Sequence, residues 1–235
     1  MLRRIVSNFY RRLPAVRELH AVVRQNQKIT ASFYRAYTMP DIRKTTAIWR
    51  EECRRLGIEE AFLCRIDTAA DTLPPHEVGL EAAVEFQPEF ASLWMLLSLR
   101  RLSLRQRRWN DLRFFLRRKL LGDDISTRHY GHLVSSMSRR IQPDYLRFPC
   151  ITPSWDNSPR CRRRATVFIE SSPALFQQWA ANTLAKLKNS TNTPPILFIN
   201  AWNEWAEGNH LEPDQRYGRS YLEALREALR SVDGG

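Results

Sequence analysis

Two glutamates three residues apart, Glu204 and Glu207, lie within Asn200-Ala201-Trp202-Asn203-Glu204-Trp205-Ala206-Glu207-Gly208. In a helical turn or tight loop, that separation aims both carboxylates at one pocket. Paired carboxylates suit glycosidic chemistry, in which one protonates the leaving oxygen and the other acts on the opposite side of the sugar as base or nucleophile. Trp202 and Trp205 are expected to enclose the acids and desolvate them, raising a pKa so that one stays protonated near neutrality. Their indole faces would also stack on sugar rings, with Asn203 as a further substrate-binding candidate. A generic Glu-x-x-Glu is usually structural, its acid paired with an arginine. Two acids, two tryptophans, Asn200 and Asn203 together after a strand are far more specific.

The elements that must position this group follow from local patterning. Short β-branched or apolar runs predict strands at 29–34, 61–66, 82–86, 148–152 and 196–200, with an extended piece at 166–170. Helices are predicted from Pro40-Asp41 to Gly57, over 90–121, from the Ser172 cap and Pro173 to Lys188, and from Tyr217 or Gly218 onward. Residues 1–27 carry a loosely helical, arginine-rich pattern. Strands alternating with helices indicate parallel β-α-β units, whose reactive residues cluster beyond the carboxyl ends of the strands. Those ends carry Asp67, Glu85, Trp155-Asp156-Asn157 and Trp202-Asn203-Glu204. Glu85, Asp156 and Asn157 either bind sugar hydroxyls or cap loops, and Trp155 is grouped with them. Tyr34 either lines the cleft or packs. His210, without metal-spaced partners, is expected to be a structural hydrogen-bonder, while Glu212 and Asp214 organise the loop into the closing helix.

Composition narrows the field. The chain has 235 residues, 43% hydrophobic and 26% charged, as in a globular protein. There is no GxGxxG or Walker-type run, which argues against nucleotide binding by those routes. The four cysteines lack zinc-site spacing, so no metal and no cofactor are expected. A net charge of +12, mostly arginine, favours anionic partners. No nucleic-acid motif accompanies it, so a specific nucleic-acid partner is not expected; the charge is read either as peripheral contact with an acidic membrane or as a merely basic surface. Arg100–Lys119 could form a basic amphipathic helix on such a surface, although an insertion packed on the protein is the favoured expectation. No signal-peptide h-region or membrane-spanning run is evident, so a reducing, cytoplasmic location is expected, peripheral to the inner membrane face at most.

Three stretches together carry a family likeness: the run from Phe198 to Asp214, Ala82-Ala83-Val84-Glu85-Phe86-Gln87-Pro88, and the run from Pro149 through Trp155-Asp156-Asn157 to Arg160. They resemble the motifs of WbsX-type glycosyltransferase-like proteins, relatives of the family-99 glycoside hydrolases. The resemblance implies a (β/α)8 barrel of the TIM type acting on oligosaccharide or polysaccharide, often in bacterial surface-glycan metabolism such as O-antigen or lipopolysaccharide. It implies that Glu204 acts as base on the sugar's own 2-hydroxyl and that Glu207 acts as general acid, then base. The route would be retaining, through a strained sugar intermediate and without a covalent adduct. Those hydrolases carry histidine where this chain has Ala206, so endo-mannosidase activity is not itself implied.

About five barrel-type strands are predicted where the fold needs about eight. The expected organisation is a basic helical lead-in over 1–28, followed over 29–235 by the last five or so β/α units, with a helical insertion near 91–128. The expectation is a truncated gene product, a misplaced start, or a half that needs a partner chain to complete the barrel. Three functions compete: a glycosyltransferase-like or retaining hydrolase-like enzyme using Glu204 and Glu207, a non-catalytic glycan-binding or assembly subunit, and a basic membrane-associated protein with a degenerate barrel.

Overall fold

A computed structural model describes residues 19–25, 28–33, 36–57, 61–67, 73–88, 125–162, 165–191 and 193–233. The chain divides into two compact units, one of Met1–Glu85 with Pro143–Arg147, the other of Phe86–Gln142 with Phe148–Gly235. Tyr34, and positions 91–124 of the expected insertion, lie outside the described residues.

In the first unit, β1 (Leu19–Gln25), β2 (Lys28–Phe33), β3 (Phe62–Asp67) and β4 (Ala82–Glu85) follow one another across a sheet, extended by a short strand at Arg147–Phe148. β2, β3 and β4 run parallel, in register Ser32 to Cys64 and Cys64 to Ala82. Buried runs such as Ala82-Ala83-Val84-Glu85 are what a parallel strand covered on both faces requires. The crossover helix α1 (Ile42–Arg55) starts where the Asp41 side chain accepts from the Lys44 N–H at 2.9 Å. It buries Thr46, Trp49 and Cys53, at helical spacing, and Trp49 meets Phe33 at 4.8 Å between ring centroids. Burial pushes the neighbouring Cys64 thiol up to about 12, with Glu81 adding to it, as befits a core cysteine.

One expectation is corrected here. Residues 19–25 were predicted helical, yet they form β1, antiparallel to β2 with Gln25 opposite Lys28. The β-branched pair Val22-Val23 and an adjacent strand to pair with outweigh the weak helical spacing of the arginines.

The second unit contains β5 (Ser126–His129), α2 (Tyr130–Ser138), β6 (the Arg147–Phe148 strand, through Phe148), β7 (Cys150–Ile151), α3 (Ser158–Cys161), β8 (Thr166–Ile169) and α4 (Pro173–Lys188). β9 (Phe198–Ile199), β10 (Asn203–Glu204), β11 (Asn209–His210) and α5 (Ser220–Asp233) complete it. β5 pairs with β8 and β7 with β9, both parallel, while β10 and β11 form an antiparallel hairpin. The core gathers Tyr130, Leu133, Ile151, Trp155, Phe176 and Trp179. α4 begins at Ser172, whose hydroxyl accepts from the Leu175 N–H, followed by Pro173.

Patterning missed β5 and α2 altogether: Ser126-Thr-Arg-His is polar at all four positions, and the expected insertion ran over part of it. The predicted strand at 148–152 is split by Pro149, which has no N–H for a ladder; its carbonyl accepts from the Phe198 N–H at 3.0 Å. The mixed α/β class stands, but among the described residues no sheet closes on itself. Among them, too, no helix is long and apolar enough to cross a membrane.

Candidate active site on a strand-end hairpin

β9 ends at Ile199, and Asn200 is tied down at once: its N–H donates to the Ile151 carbonyl at 2.9 Å and its amide to the Gln87 carbonyl at 2.5 Å. The Asn200–Ala201 peptide is cis. The chain then makes the β10–β11 hairpin, in which Glu204 pairs with Asn209 across a single 3-10 turn, Trp205–Glu207. A 3-10 turn has three residues per revolution, so side chains at i and i+3 eclipse. Glu204 precedes that turn in a non-helical conformation and Glu207 ends it, close enough for the Glu204 charge to act on the Glu207 carboxyl. Gly208 closes it with φ at 53°; a Cβ there would lie 3.0 Å from the Asp156 Cβ.

The two acids differ. Glu204 is exposed, whereas the Glu207 side chain is only 16% exposed and pairs with Arg160 at 2.5 Å. Burial pushes the Glu207 carboxyl above its ordinary value; the Arg160 guanidinium opposes this and the Glu204 charge adds to it. The turn is held from the other side by the Asp156 N–H, which donates to the Glu207 carbonyl at 2.7 Å, and by the Ser154 hydroxyl on the Gly208 carbonyl.

The tryptophans do not enclose the acids as expected. Trp202 and Trp205 are 52% and 50% exposed. Trp205 instead lies flat on His210, 3.8 Å between centroids, and its indole N–H donates to Glu212 at 2.8 Å. A stacked and hydrogen-bonded indole is held in place. Asn203 is exposed on β10.

Other candidates are engaged locally. Asp156 accepts from the Ser158 N–H at 2.9 Å, and Asn157 accepts from the Thr166 N–H at 2.7 Å, so both organise the loop between β7 and β8. Trp155 is buried in the core, and its carbonyl receives the Phe168 N–H. His210 and Asp214 pair at 2.9 Å, and Asp214 also accepts from the Tyr217 N–H at 2.5 Å, as a loop organiser should. Glu85 belongs to the first unit, where its carboxylate lies 3.4 Å from Arg147. The structure thus brings together Glu204, Glu207, Trp202, Asn203, Trp205 and the Asp156 loop. From sequence Arg160 stood only as the end of the run from Pro149 and as part of the basic charge. Its pairing with Glu207 came from the fold, although its place three residues after Asn157 was a usable signal. Among the described residues no group of metal-ligating side chains forms.

The chain matches the Glycosyltransferase WbsX family over residues 6–225. It is 34% identical over 199 residues to an uncharacterised protein, WxcX, in two strains of Xanthomonas campestris pv. campestris; the match covers 83% of this chain and 26% of WxcX. The chain therefore spans about a quarter of the length of these relatives. A solved structure titled "Glycoside hydrolase-like protein" superposes with a TM-score of 0.52 at 16% identity, over 88% of this chain and 55% of that one, a likeness of fold. On the strength of the family match across most of its length, the chain belongs to the WbsX glycosyltransferase family.

Proposed function

We propose that this chain carries the carboxylate pair of a carbohydrate-active protein that makes or breaks a glycosidic bond in surface-polysaccharide metabolism. The observation that carries the proposal is the asymmetry of the pair. Glu207 is half-buried with its carboxyl pushed up, as a proton donor to a leaving oxygen requires, while Glu204 stays exposed as the base. Half-exposed Trp202 and Trp205 beside them offer apolar faces to sugar rings in an oligosaccharide or polysaccharide. In this proposal Arg160 keeps the Glu207 proton from being held too tightly, and Asp156 fixes the turn.

The test is turnover of the surface glycan of the source cell by the protein carrying this chain. Glu204→Gln and Glu207→Gln are each expected to abolish product while leaving the melting temperature unchanged. Full activity in either variant would sink the mechanism. A second proposal is favoured by the Arg160–Glu207 ion pair, which also suits a site that holds a glycan without cleaving it. Calorimetry showing oligosaccharide binding, with product analysis showing neither transfer nor hydrolysis, would select it.

A further inference from the structure

The hairpin that carries Glu204 and Glu207 is pinned at both feet. At its entry, Asn200 bonds to the Ile151 and Gln87 carbonyls. At its exit, Asn209 lies opposite Glu204 in the ladder and directly follows Gly208, which closes the turn. The Asn209 side chain is fully buried, and its amide meets the equally buried Thr152 hydroxyl at 2.7 Å. Thr152 follows β7 directly, so this contact ties the exit of the hairpin to the end of the strand that also pairs with β9.

Thr152 is itself anchored. Its carbonyl accepts from the hydroxyl of Tyr130, a fully buried core residue, at 2.5 Å. Its own hydroxyl has one proton and two neighbours, the Asn209 amide and the Ser154 carbonyl at 2.9 Å. One proton cannot serve both. With the Asn209 amide turned so that Nδ2 faces Thr152, the amide donates to the hydroxyl and the hydroxyl donates to the Ser154 carbonyl. The same turn gives a partner to an Nδ2 that is otherwise buried without one. Ser154 donates its hydroxyl to the Gly208 carbonyl, so the chain of bonds closes on the turn that separates the two acids.

A buried pair of neutral polar groups adds little net stability, because apolar groups of the same shape can replace both partners at almost no cost. What such a pair supplies is direction: a hydrogen bond holds its partners to a narrow distance and angle, which apolar contact does not. We propose that Thr152 and Asn209 are positioning residues for the carboxylate pair. Their bond holds β11 against the end of β7 and so sets where the turn presents Glu204 and Glu207. The inference rests on the catalytic reading of those acids above, but its effect on Glu207 is readable without turnover.

The experiment follows the Glu207 side-chain carboxyl of the full chain by ¹³C NMR as pH is varied, beside kcat and KM on the glycan. Thr152→Val keeps the shape of the side chain and removes the hydroxyl. The Glu207 titration is expected to move down toward the ordinary glutamate value, as the loosened turn lets water reach the carboxyl. Turnover should fall through kcat, by about tenfold or more, with KM changed by less than about twofold. Thr152→Ser restores the hydroxyl and should return both readings to wild type. Thr152→Val combined with Asn209→Leu removes both partners, so it should melt closer to wild type than the single variant while Glu207 stays displaced. That pair keeps the test decisive if the single variant does not fold. A wild-type Glu207 titration in folded Thr152→Val, or in the double variant, overturns the proposal. If Glu207→Gln keeps full turnover, the catalytic reading fails while the displaced titration still supports positioning. If Glu207→Gln is dead and Thr152→Val titrates and turns over as wild type does, only the positioning role falls.

Discussion

Both units gather arginines and carboxylates at strand ends, but with opposite outcomes. In the first unit, Asp67 accepts from Arg65 at 2.9 Å and from the Tyr145 hydroxyl at 2.8 Å, with Arg147 at 3.8 Å; Arg147 also reaches Glu85 at 3.4 Å. Among the described residues two guanidinium groups face two carboxylates, and Arg65, Glu85 and Arg147 are all buried. In the second unit, half-buried Glu207 has one guanidinium, itself 64% exposed, and a second carboxylate nearby that works against ionisation. Balanced charges buried together make a fixed lattice. Partial burial with incomplete compensation leaves a group that can exchange a proton. The lesson is that Glu85, which stands at a strand end like a site residue, is ion-paired with Arg147, while the partly buried Glu207 is the acid we propose as proton donor.

The largest effect that could break this contrast is catalytic. Loss of the proposed proton donor in Glu207→Gln should lower turnover by about 10²- to 10⁴-fold, read as product formed per enzyme, with folding intact. The matching experiment in the other unit is Arg147→Met. It leaves Glu85 and Asp67 short of a buried partner, and urea unfolding should show a loss of about 3–5 kcal/mol. A neutral result there would mean the lattice is not what organises the first unit. Smaller is Gly208→Ala, which forces a Cβ against Asp156 at positive φ. It should cost about 1–3 kcal/mol of stability and disturb turnover through the shifted turn.

The smallest changes are in pH dependence, and they test the proton assignment most closely. Glu207 binds its proton more tightly when folded, so its stabilising contribution is complete below the ordinary glutamate pKa and is lost as pH rises through the folded value. Activity that needs the protonated acid should fall over the same rise. Arg160→Gln removes an influence that lowers this pKa, so the alkaline limb of the rate profile should move to higher pH; a shift the other way would contradict the assignment. Asp214 has the opposite sign. Burial pushes it up, but hydrogen bonds from the Tyr217 N–H, His210 and the Arg216 backbone outweigh that and leave it lowered. Its contribution is present above the ordinary aspartate pKa and lost as pH falls through the folded value, a loss Asp214→Asn should abolish in pH-dependent melting.

A turn joining the two acids was legible because its cue is local, although the β10–β11 hairpin that carries it was not predicted. Asp41, Ser172 and Pro173 mark helix starts through side-chain hydrogen bonds or fixed φ within three residues. β1 was misread for the complementary reason. A strand is stabilised by a partner elsewhere in the chain, so Val22-Val23 carried less weight alone than beside β2. Trp202 and Trp205 were expected around the acids because tryptophan is large and apolar, but composition does not say which face of an indole finds a partner. His210 and Glu212 settled that for Trp205.

By itself, the sequence determined the identities and spacing of the two acids, the turn that joins them and the family to which the chain belongs. Only the tertiary structure decided which acid is half-buried, that Arg160 answers it, that Glu85 is locked with Arg147, and that Thr152 meets Asn209 beneath the hairpin. The division has a physical cause. Turn geometry and capping act through bonds a few residues long, whereas a pKa depends on solvent exclusion and on charges brought close through space, such as Arg160 beside Glu207 from a different loop.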